Sequence, residues 1–241
     1  SEKQMVYKTA ARQIPIAQTA IVLVDVWNDL YDADFMVRAQ KIIEEKIVPL
    51  SKAFRDAGSL IVHAPSYQVA IKYPEFLTDL TDIEIWGNPQ PKHPWPPKEF
   101  IQKSGPFCSR VRPEQASPNK YFNDIIENWV IAKEMVPQKG DVVIRTGEEL
   151  HHILERRKIL YLFYVGFATN ICMLNRDYGM KAMSKRGFEI ILARDATTGV
   201  EYAHTQEILS QTAAAITIEE SNIGYSVTTA ELLDAFQKAK A

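Results

Sequence analysis

Residues 20–24 read Ala-Ile-Val-Leu-Val, and the run stops at Asp25. A short, continuous, β-branched run suits a strand buried on both faces, as strands of parallel sheets are. The arrangement recurs along the chain. Leu60-Ile61-Val62 ends at His63, Val142-Val143-Ile144 is followed by Arg145, Ile159 to Val165 ends at Gly166, and Phe188 to Leu192 runs toward Asp195. A short strand is also expected around Tyr225-Ser226-Val227.

Helical patterns separate these runs. Within residues 35–57, Ile42, Ile43, Ile47, Leu50 and Phe54 fall at helical spacing, and Gly58 closes the segment. Thr146 with Glu149 makes a capping-box pattern that opens a helix over Gly147 to Arg157. Ile171 to Lys185 and residues 203–215 read as helices, and Thr228 with Glu231 opens a last one ending around Lys238. Strands alternating with helices imply parallel pairing through right-handed crossovers. The expected fold is therefore α/β and Rossmann-like: a three-layer α/β/α sandwich with a mostly parallel central sheet, as one domain over residues 1–241.

Residues 64–120 break the alternation. They hold most of the prolines, several aromatic side chains and little periodicity, over a length no ordinary strand-to-helix loop needs. The expectation is an insertion at the C-terminal edge of the sheet, over the site or in a subunit contact.

Composition narrows the function. A net charge of -2, with no long basic run, argues against nucleic acid or an anionic membrane as the main partner. Two cysteines, Cys108 and Cys172, are too few for a disulfide framework in a chain of 241 residues. Residues 1–19 lack a signal-like apolar core, and no apolar run is long enough to span a bilayer, so the cytoplasm is the expected location.

In open parallel sheets, ligands bind outside the C-terminal ends of the strands. Asp25, His63 and, one turn further on, Cys172 fall there by sequence. Cys172 follows the polar turn Gly166-Phe167-Ala168-Thr169-Asn170 and enters a predicted helix. Amides at a helix start favour a thiolate and could hold an oxyanion. A small buried hydrophobe is the alternative for Cys172. Asp25, at the end of a hydrocarbon strand, should have a raised pKa and could shuttle a proton; a structural role bonding loop amides is its alternative.

The stretch Ile21-Val22-Leu23-Val24-Asp25-Val26-Trp27-Asn28-Asp29 resembles the first-strand motif of isochorismatase-like hydrolases, and Val165-Gly166-Phe167-Ala168-Thr169-Asn170-Ile171-Cys172 resembles their nucleophile motif. The likeness covers residues 19–63 and 136–200, the C-terminal part loosely and the insertion not at all. It implies an isochorismatase-like fold, Asp25 as acid/base and Cys172 as nucleophile. It also implies a cis bond at Phe167–Ala168 and a homo-oligomeric assembly. The thiol points to the branch that cleaves C–N bonds of amides, carbamoyl groups and ureas through a thioester, with no cofactor. Trp27, His63, Phe167, Ala168 and Thr169 are the expected substrate contacts.

The chain departs from the family after the third strand, where a catalytic Lys is expected. Arg145 is the nearest cation there, and Thr146 caps the helix at once. The expectation is that Arg145 turns toward Asp25 and Cys172, holding charge without transferring a proton; Lys120 could also reach back from the insertion. The competing reading is a family member without turnover, serving as a small-molecule binding or assembly protein. An Arg145 tied up elsewhere would favour that reading. No metal is expected: His93 is isolated, and His151 and His152 point in different directions on one helix.

Overall fold

The structure, a computed structural model, describes residues 6–30, 32–78, 95–110 and 126–239. Among the described residues, six strands form one sheet: β1 (Thr19–Val24), β2 (Leu60–Ala64), β3 (Val142–Val143), β4 (Tyr161–Phe167), β5 (Glu189–Thr198) and β6 (Tyr225–Val227). They lie in the order β3-β2-β1-β4-β5-β6, and every pairing is parallel. The order reverses at β1, which pairs with β2 on one side and β4 on the other. In open parallel sheets such a reversal is where ligands bind, outside the C-terminal ends of the strands.

Alternate residues of β1 feed two cores. Ile21 and Leu23 face Phe35 and Ala39 of α1 (Ala33–Ile42), and Leu50 and Phe54 of α2 (Val48–Asp56). Leu232 and Phe236 of the C-terminal helix pack against the same cluster. Ala20, Val22 and Val24 face Leu150, Ile153 and Leu154 of α3 (Gly147–Arg157), with Met180 and Met183 of α4 (Met180–Lys185) and Ala215 of α5 (Ser210–Asn222). A strand buried on both faces needs apolar side chains in both registers, which is why residues 20–24 read as one unbroken run. The C-terminal helix is α6 (Thr229–Lys238), and its capping box between Thr228 and Glu231 is complete.

Three elements differ from the sequence reading. The segment read as one helix over 35–57 is α1 and α2 joined by a wide π-turn at Ile43–Ile47. The helix expected over Ile171 to Lys185 is a five-residue wide turn, Thr169–Met173, and then α4, with a tight turn between in which Gly179 N–H donates to Arg176 O at 2.9 Å. The helix expected at 203–215 begins at Ser210. Glu201 fixes that start, because its carboxylate accepts from the Gln211 amide at 3.1 Å and the Thr212 amide at 2.8 Å. A carboxylate on free N-terminal amides is a strong cap, and here it comes from ten residues upstream, beyond any local signature.

Much of the 64–120 insertion, including His93 and Lys120, lies outside the described residues. Of the rest, Tyr67–Ala70 and Lys98–Ile101 are single helical turns and Gly105–Arg110 is a 3-10 turn holding the exposed Cys108. Beyond it, Trp129 stacks on Trp27 with ring centroids 4.3 Å apart, and Ile131 bridges Trp27 in antiparallel fashion.

Candidate active site

Asp25 and Cys172 both sit at the reversal point. β1 delivers Asp25 and β4 leads into the turn that carries Cys172. The two strands approach closely there: a Cβ on Gly166 would fall 2.0 Å from the Val24 carbonyl oxygen, and Gly166 has φ +113. Only glycine permits both the contact and the conformation. Asp25 itself takes φ 47, a left-handed backbone that Asp tolerates better than most side chains. The Phe167–Ala168 bond is cis.

Asp25 is 1% exposed and Cys172 is 8% exposed. Burial pushes the Asp25 pKa up to about 6, against the pull of Arg176, the Cys172 thiol and the Ser66 amide. Arg176 Nη2 lies 3.3 Å from Asp25 Oδ2. Burial works against the Arg176 charge, but Tyr178, Asp25 and Cys172 outweigh it and the guanidinium stays charged. Arg176 follows Cys172 by one helical turn, and its amide donates to the Cys172 carbonyl at 3.1 Å. The cation thus reaches Asp25 from the turn that carries Cys172. Tyr178 lies behind it, its hydroxyl donating to Pro65 O at 2.9 Å.

Arg145 does not turn toward this site. Its backbone amide and its Nε both donate to the Glu149 carboxylate, each at 2.6 Å, and Nη2 completes the ion pair. The capping pattern explains the outcome. Thr146 Oγ1 accepts the Glu149 amide as expected, at 3.2 Å. The Glu149 carboxylate reaches back one residue further than a capping box requires, and there it meets Arg145. Among the described residues, the cation recorded on Asp25 is Arg176.

His63 is corrected as well. It shares a sheet face with Ile61, whereas Cys172 packs in the cluster on the opposite face with Leu60, Val62 and Ala64. Its Nε2 pairs with Asp141 Oδ2 at 3.2 Å, and Arg55 holds the same carboxylate at 2.8 Å. Burial keeps the His63 pKa below its ordinary value despite Asp141. His63, Asp141 and Arg55 thus form a network on the face of the sheet opposite Cys172.

The other expected contacts lie just beyond the ends of β1 and β4 but mostly face inward. The Trp27 and Phe167 side chains pack in the first core, Phe167 edge-on to Phe35 at 5.9 Å. Ala168 is buried, and Thr169 Oγ1 bonds Thr197 Oγ1 at 2.6 Å, tying the nucleophile turn to β5. Such residues shape the turn. His151 packs on Phe188 while its neighbour His152 pairs with Glu148. Among the described residues, no group of three or more His, Cys, Asp and Glu is placed to hold a metal ion, and no helix is long and apolar enough to cross a membrane.

The thiol and carboxyl at the reversal point of this parallel α/β sheet are buried, and the Arg176 guanidinium beside them is half-exposed. Residues 19–221 match the family model described as the isochorismatase domain, and the chain belongs to that family. Solved structures of similar fold include a cysteine hydrolase from Pseudomonas syringae pv. phaseolicola 1448A, at 15% identity and TM-score 0.59, covering 98% of this chain and 100% of that one. They also include an isochorismatase from Pseudomonas putida KT2440, at 14% identity and TM-score 0.52, covering 92% and 93%. An isochorismatase family protein from Burkholderia thailandensis is similar at 17% identity and TM-score 0.51, covering 92% and 96%. At such identities the likeness speaks for the fold. A search of curated protein sequences gave no match.

Proposed function

We propose that this chain is a cysteine hydrolase that cleaves a C–N bond of a small amide, carbamoyl or urea-like substrate through a thioester, without a cofactor. The observation that carries this reading is the meeting of Asp25, Cys172 and Arg176. A carboxyl with a pKa of about 6 is mostly ionised at neutral pH, yet basic enough to take a thiol proton.

In the first half-reaction Asp25 accepts the Cys172 proton as sulfur attacks the carbonyl carbon. The carbonyl π electrons move to oxygen, where an amide of the turn carrying Cys172 would hold the oxyanion. When they return, the C–N bond breaks and Asp25-H protonates the departing nitrogen, leaving a thioester on Cys172. In the second, water attacks the thioester, Asp25 takes a water proton, and the carboxylic or carbamic acid leaves as the thiol is re-formed. Arg176 keeps its proton throughout. It offsets the two negative charges that a thiolate and Asp25 would otherwise bring together.

One observation favours binding without turnover: Arg145 is held by Glu149, and an arginine stands where a proton-donating lysine would be expected. Ammonia release from a panel of small primary amides, N-carbamoyl compounds and ureas separates the two readings. The hydrolase reading expects at least one class to turn over, with kcat/KM falling tenfold per pH unit below about pH 6 as Asp25 is protonated. Release from none of the three classes would leave the binding reading.

A further inference from the structure

Asp25 leaves the sheet in a left-handed backbone, φ 47, so the aim of its carboxyl depends on what fixes the residues that follow. A second segment, residues 127–132 on the return toward β3, runs antiparallel to them. Val26 O accepts the Ala132 amide at 3.0 Å, and the Asn28 amide donates to Val130 O at 3.0 Å. Asn28 Oδ1 accepts the Val130 amide at 2.9 Å. Trp27 bridges Ile131, and Trp129 covers one face of its ring. The return segment is held in turn by the leg that leaves β2. The Tyr73 hydroxyl accepts the Ile131 amide at 2.9 Å. Lys72 Nζ donates to Glu127 O at 2.6 Å and to Trp129 O at 2.7 Å. Glu127 lies in the 3-10 turn Ile126–Asn128, and carbonyls at the end of a helical turn lack amide partners. An ammonium has three donors, so one lysine can tie two such carbonyls.

We propose that Lys72 is a positioning residue for Asp25: by pinning the return segment to the leg that leaves β2, it holds the pairing that fixes residues 26–28 and keeps the Asp25 carboxyl on the Cys172 thiol. The inference rests on the reading of Asp25 as the acid/base of a cysteine hydrolase, and adds to it an exposed residue outside the reacting pair. Lys72 acts through geometry rather than charge. Among the described residues, the groups recorded against the Asp25 carboxyl are Arg176, Cys172, Tyr178 and the Ser66 amide. Without the pin, residues 26–28 lose their pairing and water reaches the flank of Asp25. The burial that raises the Asp25 pKa then weakens, and the pKa falls. Loss of a nearby positive charge would move it the other way, so the direction of the shift tells positioning from electrostatics.

Alkylation of Cys172 by iodoacetamide, mapped by mass spectrometry against pH in wild type and Lys72→Met, tests it. The limb near pH 6 in wild type is expected to move down by about one pH unit in Lys72→Met, and the plateau rate to fall about tenfold. Lys72→Arg should restore both, because a guanidinium can also donate to two carbonyls. Asn28→Ala releases the same segment from its other side without removing a charge, and should move the limb the same way. A lysine that only stabilised the fold would lower the melting temperature of Lys72→Met and leave the limb where it is. That result, or a limb that moves upward, would overturn the inference while leaving Asp25 and Cys172 in their roles. A wild-type protein with no limb near pH 6 would overturn the hydrolase reading and the inference together.

Discussion

Cys172→Ala is expected to abolish turnover, by about 10⁴-fold or more in kcat, because the variant has no atom that can form the thioester. Asp25→Asn should cost about 10² to 10⁴-fold, the usual span for losing a positioned acid/base. The two losses should not add. Thiol and carboxyl act in one step, and removing either stalls it. The variants should also differ in kind. In Asp25→Asn the sulfur remains, so residual activity should lose the limb that titrates near pH 6. Ammonia release at saturating substrate, with thermal melts to show that each variant is folded, checks both. An Asp25→Asn enzyme within tenfold of wild type would remove Asp25 from the proton path.

A second large effect is expected at a buried carboxyl on α5. Glu219 lies on α5, is 0% exposed, and neither carboxylate oxygen has a hydrogen-bond partner. Burial, aided by the neighbouring Glu220, raises its pKa from 4.5 to about 8. The folded protein therefore holds a proton that the unfolded chain releases above pH 4.5. Between these two values the native state binds more protons, so unfolding free energy falls as pH rises. At about 1.4 kcal/mol per pH unit, the loss by pH 7 is about 3 kcal/mol. Glu219→Gln carries no such proton. It should match wild type near pH 4.5, exceed it by about 3 kcal/mol at pH 7, and show a flatter profile. Urea unfolding of both proteins at pH 5 and pH 8 measures this directly. Equal pH slopes would mean that Glu219 is paired or hydrated in solution.

The parts of the site legible in the sequence are those set by local rules. An unbroken apolar run ending in Asp25, and a strand leading through Gly166 to Cys172, place both groups at strand ends before any coordinate is known. Topology then brings them together, because β1 and β4 are neighbours at the reversal point. The family pattern points to a cation after β3, whereas Arg176 comes from the turn that follows β4. Its signal was present: residues four apart on a helical turn share a face, and Arg176 is four beyond Cys172. Arg145 misled for a local reason also open to reading, since the capping Glu149 sits within reach of it.

Other features rest on contacts distant in sequence. No periodicity reveals that Glu201 will cap α5, or that Asp177 Oδ2 accepts the Gly147 amide at 2.7 Å and so anchors the turn beside Arg176 to the start of α3. His63 looked like a site residue because it ends a strand. The alternation of side chains along that strand turns it to the other face, where Asp141 and Arg55 wait for it. A strand end fixes the edge of the sheet but leaves the face to the register.

If Asp25 drives the Cys172 thiol, the rate of Cys172 alkylation by iodoacetamide carries the titration of that carboxyl. The expected rate at Cys172 rises through about pH 6, where Asp25 ionises, and levels off above it. An ordinary exposed thiol climbs only through about pH 8.5. In Asp25→Asn the limb near pH 6 should vanish. If Cys172 and Cys108 follow the same curve in the wild-type protein, and Asp25→Asn leaves that curve unchanged, the carboxyl does not act on the thiol and the account is contradicted.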